Sequence, residues 1–152
     1  MSIQAWGGEP LLELDSVLHI REWIRPKITK VHISIETNAT LLTEEVICRL
    51  HDAKIGIGIS IDGTRQCHDL QRVYAAGAGT HRVVENNLLL AQRYYGEKLG
   101  IITTITKLNY AQIEDIMDYY AKVLQLKSGK FNFVHQSQFA SLSDVDFQEF
   151  TF

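Results

Sequence analysis

A chain of 152 residues that is 45% hydrophobic and 22% charged, with only two prolines, can bury a substantial core as one soluble globular domain, which excludes collagen-like, disordered and coiled-coil architectures. Fifteen Lys and Arg against eighteen Asp and Glu leave a net charge of −3, so the balance offers nothing to a polyanion and nucleic acid is not an expected partner. No basic segment followed by an apolar run opens the chain, and no stretch approaches the ~20 apolar residues of a membrane span, so neither export nor insertion into a membrane is expected.

Along the chain the hydrophobic period switches repeatedly between strand-like and helix-like, as it does in βα units. A strand is expected at 2–6, followed by a helix over about 15–25 in which Val17, Leu18, Trp23 and Ile24 supply the apolar stripe and Pro26 ends it. A second strand at 31–37 leads to a helix capped by Thr43. Glu44 and Glu45 fall in its first turn, where the helix dipole favours carboxylates, and Val46, Ile47 and Leu50 form its buried side. After a third strand at 55–61, Thr80 is expected to cap a helix carrying Val83, Val84, Leu88, Ala91 and Tyr95. A fourth strand at 100–106 precedes a helix in which Asn109 and Gln112 read as a capping box. Ile113, Ile116, Met117, Tyr120, Val123 and Leu124 recur there at core spacing. A fifth strand is expected at 131–134. The chain then runs through 141–146 to Phe150-Thr151-Phe152, which reads as an interrupted element.

Strand-to-strand repeats of roughly thirty residues fit right-handed βαβ crossovers and therefore parallel strands. Val31, Ile33 and Ile35 share one face of the second strand, with His32, Ser34, Glu36 and Asn38 on the other. The third strand repeats this, with Ile55, Ile57, Ile59 and Ile61 opposite Gly56, Gly58, Ser60 and Asp62. Ser2, Gln4, Thr104, Thr106 and Asn132 extend the polar set. A parallel sheet covered by helices on both faces reads as continuously apolar. The alternation instead predicts an α/β fold of the partial TIM-type (β/α) barrel kind, with about five parallel strands, outer helices on the isoleucine face and a polar inner face lining a cavity. Gly56 and Gly58 leave room there for a ligand. A sheet with one face simply in water accounts for the same alternation.

Two clusters at strand ends can carry chemistry. In Trp6-Gly7-Gly8-Glu9-Pro10 the glycines let backbone groups approach a ligand and Glu9 can accept from an ammonium group, although Gly-Gly is equally plain turn chemistry. In Ser60-Ile61-Asp62-Gly63, with His68-Asp69 and Arg72, a hydroxyl, a carboxylate and a guanidinium stand where α/β barrels bind ligands. Read singly these are a turn, a surface pair and a solvated charge. Two cysteines make neither a disulfide framework nor a zinc site, which favours a reducing, cytoplasmic setting. Cys48 reads as a small buried apolar residue of the second helix and Cys67 as a free thiol in a loop.

Taken in order, Gly7-Gly8-Glu9-Pro10-Leu11-Leu12, Thr37-Asn38-Ala39-Thr40-Leu41-Leu42, Ile59-Ser60-Ile61-Asp62-Gly63, His68-Asp69 with Arg72, and Gly79-Thr80 before a helix resemble the radical S-adenosylmethionine enzymes. The likeness is greatest to the peptide- and protein-modifying maturase branch, which includes anaerobic sulfatase-maturating enzymes, and it runs from 2 to about 135. The resemblance implies S-adenosylmethionine as cofactor, with its methionyl amino group on Gly7, Gly8 and Glu9. Its carboxylate and neighbouring polar atoms would lie on Ser60 and Arg72, with Asn38 and Asp62 as further cofactor-binding residues. It also implies a four-iron, four-sulfur cluster that gives an electron to the sulfonium, and a 5′-deoxyadenosyl radical that abstracts hydrogen from a peptide or protein substrate.

One departure is serious. The family's cluster loop, CxxxCxxC, is absent, and two isolated cysteines supply too few of the roughly four ligands such a cluster needs. The strand ending in Gly-Gly-Glu-Pro is the family's second, so residues 1–152 are expected to form a single incomplete core domain lacking the first βα unit. Such a truncated maturase would not be catalytic alone, and no catalytic residue or metal ligand is assigned. A non-catalytic module binding S-adenosylmethionine or a peptide on a degenerate barrel is the contrasting reading, and a fragment without a cellular role is a third. An unpaired edge at 2–6 would invite self-association.

Overall fold

The computed structural model describes residues 1–5 and 7–134; Trp6 and the features read at 135–152 lie outside the described residues. Five strands, β1 (Ser2–Ala5), β2 (His32–Thr37), β3 (Ile55–Ser60), β4 (Gly100–Ile105) and β5 (Gly129–Phe133), lie side by side in chain order. Every neighbouring pair is parallel. The intervening helices are α1 (Leu14–Ile24), entered through a 3₁₀ turn at Pro10–Glu13, then α2 (Glu44–Asp52), α3 (Arg65–His68), α4 (His81–Tyr95) and α5 (Ile113–Asp118). Unreversed strand order with helical crossovers makes this a partial TIM-type barrel, as the sequence predicts.

The core lies between the helices and the isoleucine face. Ile35, Ile57, Ile59 and Ile105 pack there with Ile47 and Leu50 of α2, Leu88 and Ala91 of α4 and Ile116 of α5. Full burial stabilises each large aliphatic side chain by roughly 1.5–3 kcal/mol, which sets the register of every strand, because a one-residue slip would turn the whole row outward. On the opposite face Ser34, Glu36, Gly56, Gly58 and Ser60 are only half-buried, in strict alternation with the isoleucines. β4 breaks the alternation. Its Ile102 occupies the space in front of Gly58, where a Cβ would stand 2.7 Å from the Ile102 Cδ1. Thr103 is buried on the helix side, its hydroxyl donating to the Ile61 carbonyl at 2.9 Å.

Local signals held in part. Thr43 caps α2, its hydroxyl accepting from the Val46 amide. Thr80 precedes α4 but does not cap it; the Asp69 carboxylate accepts from the His81 amide at 2.9 Å instead, freeing the Thr80 hydroxyl for other partners. Asn109 forms no capping box. Its side chain closes the turn after β4, accepting from the Thr106 amide at 2.8 Å and donating to the Thr104 carbonyl at 3.0 Å. The last helix is composite: a 3₁₀ turn at Tyr110–Gln112 enters α5, which continues as a π turn at Tyr119–Val123. The wider turn leaves Ile116, Tyr120 and Leu124 buried while Met117 and Val123 face out, against the stripe expected. Trp23 is likewise exposed, with the Lys27 ammonium over its ring. Cys48 is half-buried, and Cys67 is buried on the short helix α3, where a loop was expected.

Candidate functional site

Parallel pairing puts every strand's C-terminal end, and the loop that follows it, on one edge of the sheet. After β1 the chain turns through Gly7 (φ +107°) and Gly8 (φ +32°), conformations that L side chains rarely adopt. No atom lies within 4 Å of where a Cβ would stand on either residue, so their backbone faces open space. Glu9 then binds the loop to the end of β2. One carboxylate oxygen accepts from the Thr37 hydroxyl at 2.7 Å and the Leu11 amide at 3.1 Å, and the other accepts from the Asn38 amide at 2.9 Å. Among the described residues three of its roughly four acceptor positions are filled and one is open. Asn38 is complementary. Its side-chain oxygen accepts from the Thr40 amide and hydroxyl, at 2.9 and 2.7 Å, and its amide nitrogen has no partner among the described residues.

The second cluster is built on Asp62, just past β3 and 1% exposed. Its carboxylate accepts from Arg72 through Nε at 2.5 Å and Nη2 at 3.2 Å, from the Gln71 side chain at 2.8 Å and from the Thr104 amide at 2.8 Å. Four donors fill its capacity, so Asp62 holds Arg72 rather than offering itself to a ligand. Arg72, with its side chain 25% exposed, keeps Nη1 without a partner among the described residues. The Ser60 hydroxyl is also unpartnered there.

Register brings the clusters together. Thr37 pairs with Ile59 and Ser60 with Ile102, so Asn38, Ser60 and the Asp62–Thr104 contact follow one another along the same edge. All seven residues singled out in the sequence lie there. Thr37 and Thr104 stand in the sequence motif and the polar set without an assigned role, and Gln71 gives no signal beyond its place next to Arg72. Sequence reasoning also weighed His68-Asp69 as a surface pair, whereas His68 is fully buried. Burial lowers the His68 pKa to about 4 despite the opposing pull of Asp62, and burial lowers that of His81 as well. Burial raises Tyr119 and Tyr120 above the ordinary tyrosine range.

A cavity of about 840 Å³ opens elsewhere on the inner face, nearer the N-terminal strand ends, with Gln4, Ser34, Glu36, Gly56 and Lys130 in its wall. None of the seven site residues lines it. Among the described residues no group of three or more His, Cys, Asp or Glu can hold a metal ion. Cys48 on α2 and Cys67 on α3, the latter accepting from the Thr64 hydroxyl, do not fit an iron–sulfur cluster. No helix among the described residues is long and apolar enough to cross a membrane.

A parallel half-barrel with a polar inner face and open polar groups at its C-terminal edge defines a partial (β/α) barrel. Residues 2–120 match the model of the radical SAM superfamily, and the chain belongs to that family. It is 31% identical over 122 residues to an uncharacterized protein of Methanocaldococcus jannaschii, covering 78% of this chain and 42% of that protein. It is 29% identical over 120 residues to the cysteine-type anaerobic sulfatase-maturating enzyme of Clostridium novyi, covering 76% and 32%. To the enzyme of the same name from Clostridium perfringens it is 27% identical over 161 residues, covering 95% and 41%. The solved structure of native anSMEcpe with bound AdoMet and Cp18Cys peptide superposes with a TM-score of 0.85 at 25% identity, covering 98% of this chain and 44% of that one. The chain thus spans less than half the length of the relatives it matches.

Proposed function

We propose that this chain, a single core domain, forms the S-adenosylmethionine-binding wall of a cytoplasmic radical SAM maturase acting on a peptide or protein substrate. What supports the reading is that complementary open groups stand at the ends of neighbouring strands, along one edge of the sheet. Glu9 has a spare acceptor position for an ammonium group, beside the open backbone of Gly7-Gly8. The Asn38 amide, the Ser60 hydroxyl and Arg72 Nη1 are donors suited to a carboxylate and to neighbouring polar atoms. An α-amino acid presents both charges a few ångströms apart, which fits this division. Asp62 takes part by orienting Arg72.

In the whole protein the cofactor supplies hydrogen-atom abstraction from the substrate. The residues of this chain bind and orient it. With two cysteines on separate helices, the chain alone is proposed to bind without catalysing, which favours the binding-module reading for the isolated polypeptide.

Calorimetric titration with S-adenosylmethionine tests this. Binding is expected in the 152-residue chain, and Ser60→Ala and Arg72→Lys should each weaken it about tenfold, the loss of one hydrogen bond to a charged group. Absence of binding in the unmodified chain would overturn the reading. Anaerobic incubation with iron and sulfide should produce no charge-transfer absorbance, and its appearance would contradict the non-catalytic part.

A further inference from the structure

The Asp62–Arg72 pair is enclosed in a ring of hydrogen bonds that passes through a buried histidine. His68 Nδ1 accepts from the Asp62 amide at 3.1 Å, so Nδ1 carries the lone pair and the ring proton resides on Nε2. Nε2 therefore donates to the Thr80 hydroxyl oxygen at 2.9 Å. The hydroxyl hydrogen is left for the Arg72 carbonyl, at 3.1 Å. The Arg72 guanidinium closes the ring on the Asp62 carboxylate. Each donor and acceptor then has one assignment, and both residues of the ion pair are held by main chain and side chain at once.

The surroundings brace the ring. The Arg72 carbonyl also accepts from the Thr80 amide at 3.2 Å, and Val73 and Gly79 form an antiparallel bridge, so the loop between them is pinched at its base. Asp69 fills the space in front of Gly79 and receives the His81 amide. The charged and titratable groups facing His68 are Asp62, Arg72, Asp69 and His81. The ring of His81 packs edge-on against that of His68 at 5.4 Å.

We propose that His68 and Thr80 are positioning residues, which set the direction of the Arg72 guanidinium by fixing the Asp62 amide and the Arg72 carbonyl in one frame. The link to cofactor binding rests on the reading of Arg72 as a ligand contact; the positioning itself does not.

The experiment is nitrogen-15 NMR on the full chain, reading the His68 tautomer and the hydrogen exchange of the Arg72 Nε–H, with S-adenosylmethionine affinity measured in parallel. The unmodified chain should show the Nε2–H tautomer. Thr80→Val, which removes only the hydroxyl, should speed Arg72 Nε–H exchange and weaken affinity, each about tenfold, while Thr80→Ser retains both. His68→Asn, which keeps an acceptor for the Asp62 amide but loses the arm to Thr80, should behave as Thr80→Val does. An Nδ1–H tautomer, or Arg72 exchange unchanged in Thr80→Val, overturns the proposal; the tautomer is read on the unmodified chain and does not depend on a variant folding. Accelerated exchange in a chain that binds no S-adenosylmethionine supports the positioning ring and refutes only the ligand role of Arg72.

Discussion

At the scale of single residues, the contrast between Asp62 and Glu9 shows how acceptor capacity divides roles. Both are carboxylates at strand ends, yet the first is filled by four protein donors and the second keeps an open position. The sequence placed both at the site and could not separate them, because Asp62 is saturated only when α3 folds Gln71 and Arg72 back onto it and β4 brings up the Thr104 amide from far along the chain. Neutral His68 makes stability depend on pH. Its folded pKa of about 4 lies below the ordinary histidine value of 6.5, so the unfolded chain binds the proton more readily and stability falls as pH drops from about 6.5 toward 4. The loss is about 3 kcal/mol across that window, in the same direction as the smaller contribution of His81. Urea denaturation at successive pH values should show this slope, and His68→Asn should flatten it; an equal slope in both proteins would refute the assignment.

Among the elements, strands were more legible than helix ends. Isoleucine at alternate positions, Ile33 and Ile35 in β2 and Ile55, Ile57 and Ile59 in β3, survives any tertiary context that buries one face, so type and register could be read directly. Caps depend on neighbours. Thr43 has no rival partner and caps α2, whereas Thr80 is diverted by His68 and Arg72, and Asp69 replaces it at α4. Gly79→Ala should therefore destabilise by about 1–3 kcal/mol, since the new Cβ, 2.1 Å from the Asp69 Cγ, displaces that carboxylate from the His81 amide. Thermal denaturation checks this, and a change within error would show that the carboxylate has another place to go. The π turn after α5 was not legible, because its residues are ordinary helix formers and the shift comes from packing Tyr120 against β3 and β4.

For the whole molecule, barrel architecture follows from the pattern of the two sheet faces, and a superposition covering 98% of the chain agrees with it. The core should behave as one cooperative unit: Ile59→Ala, at a fully buried position of the central strand, should cost about 2–5 kcal/mol with an unchanged denaturant slope. The large cavity toward the N-terminal strand ends was legible in the polar inner face and the glycines at 56 and 58, and it stands apart from the strand-end clusters. Those two places provide the most direct test of the central claim. Titrating S-adenosylmethionine into the nitrogen-15-labelled chain should move the amides of Gly7, Gly8, Asn38, Ser60 and Arg72 along one shared saturation curve. Silence at those positions, or shifts confined to the cavity of Gln4, Ser34, Gly56 and Lys130, would contradict it.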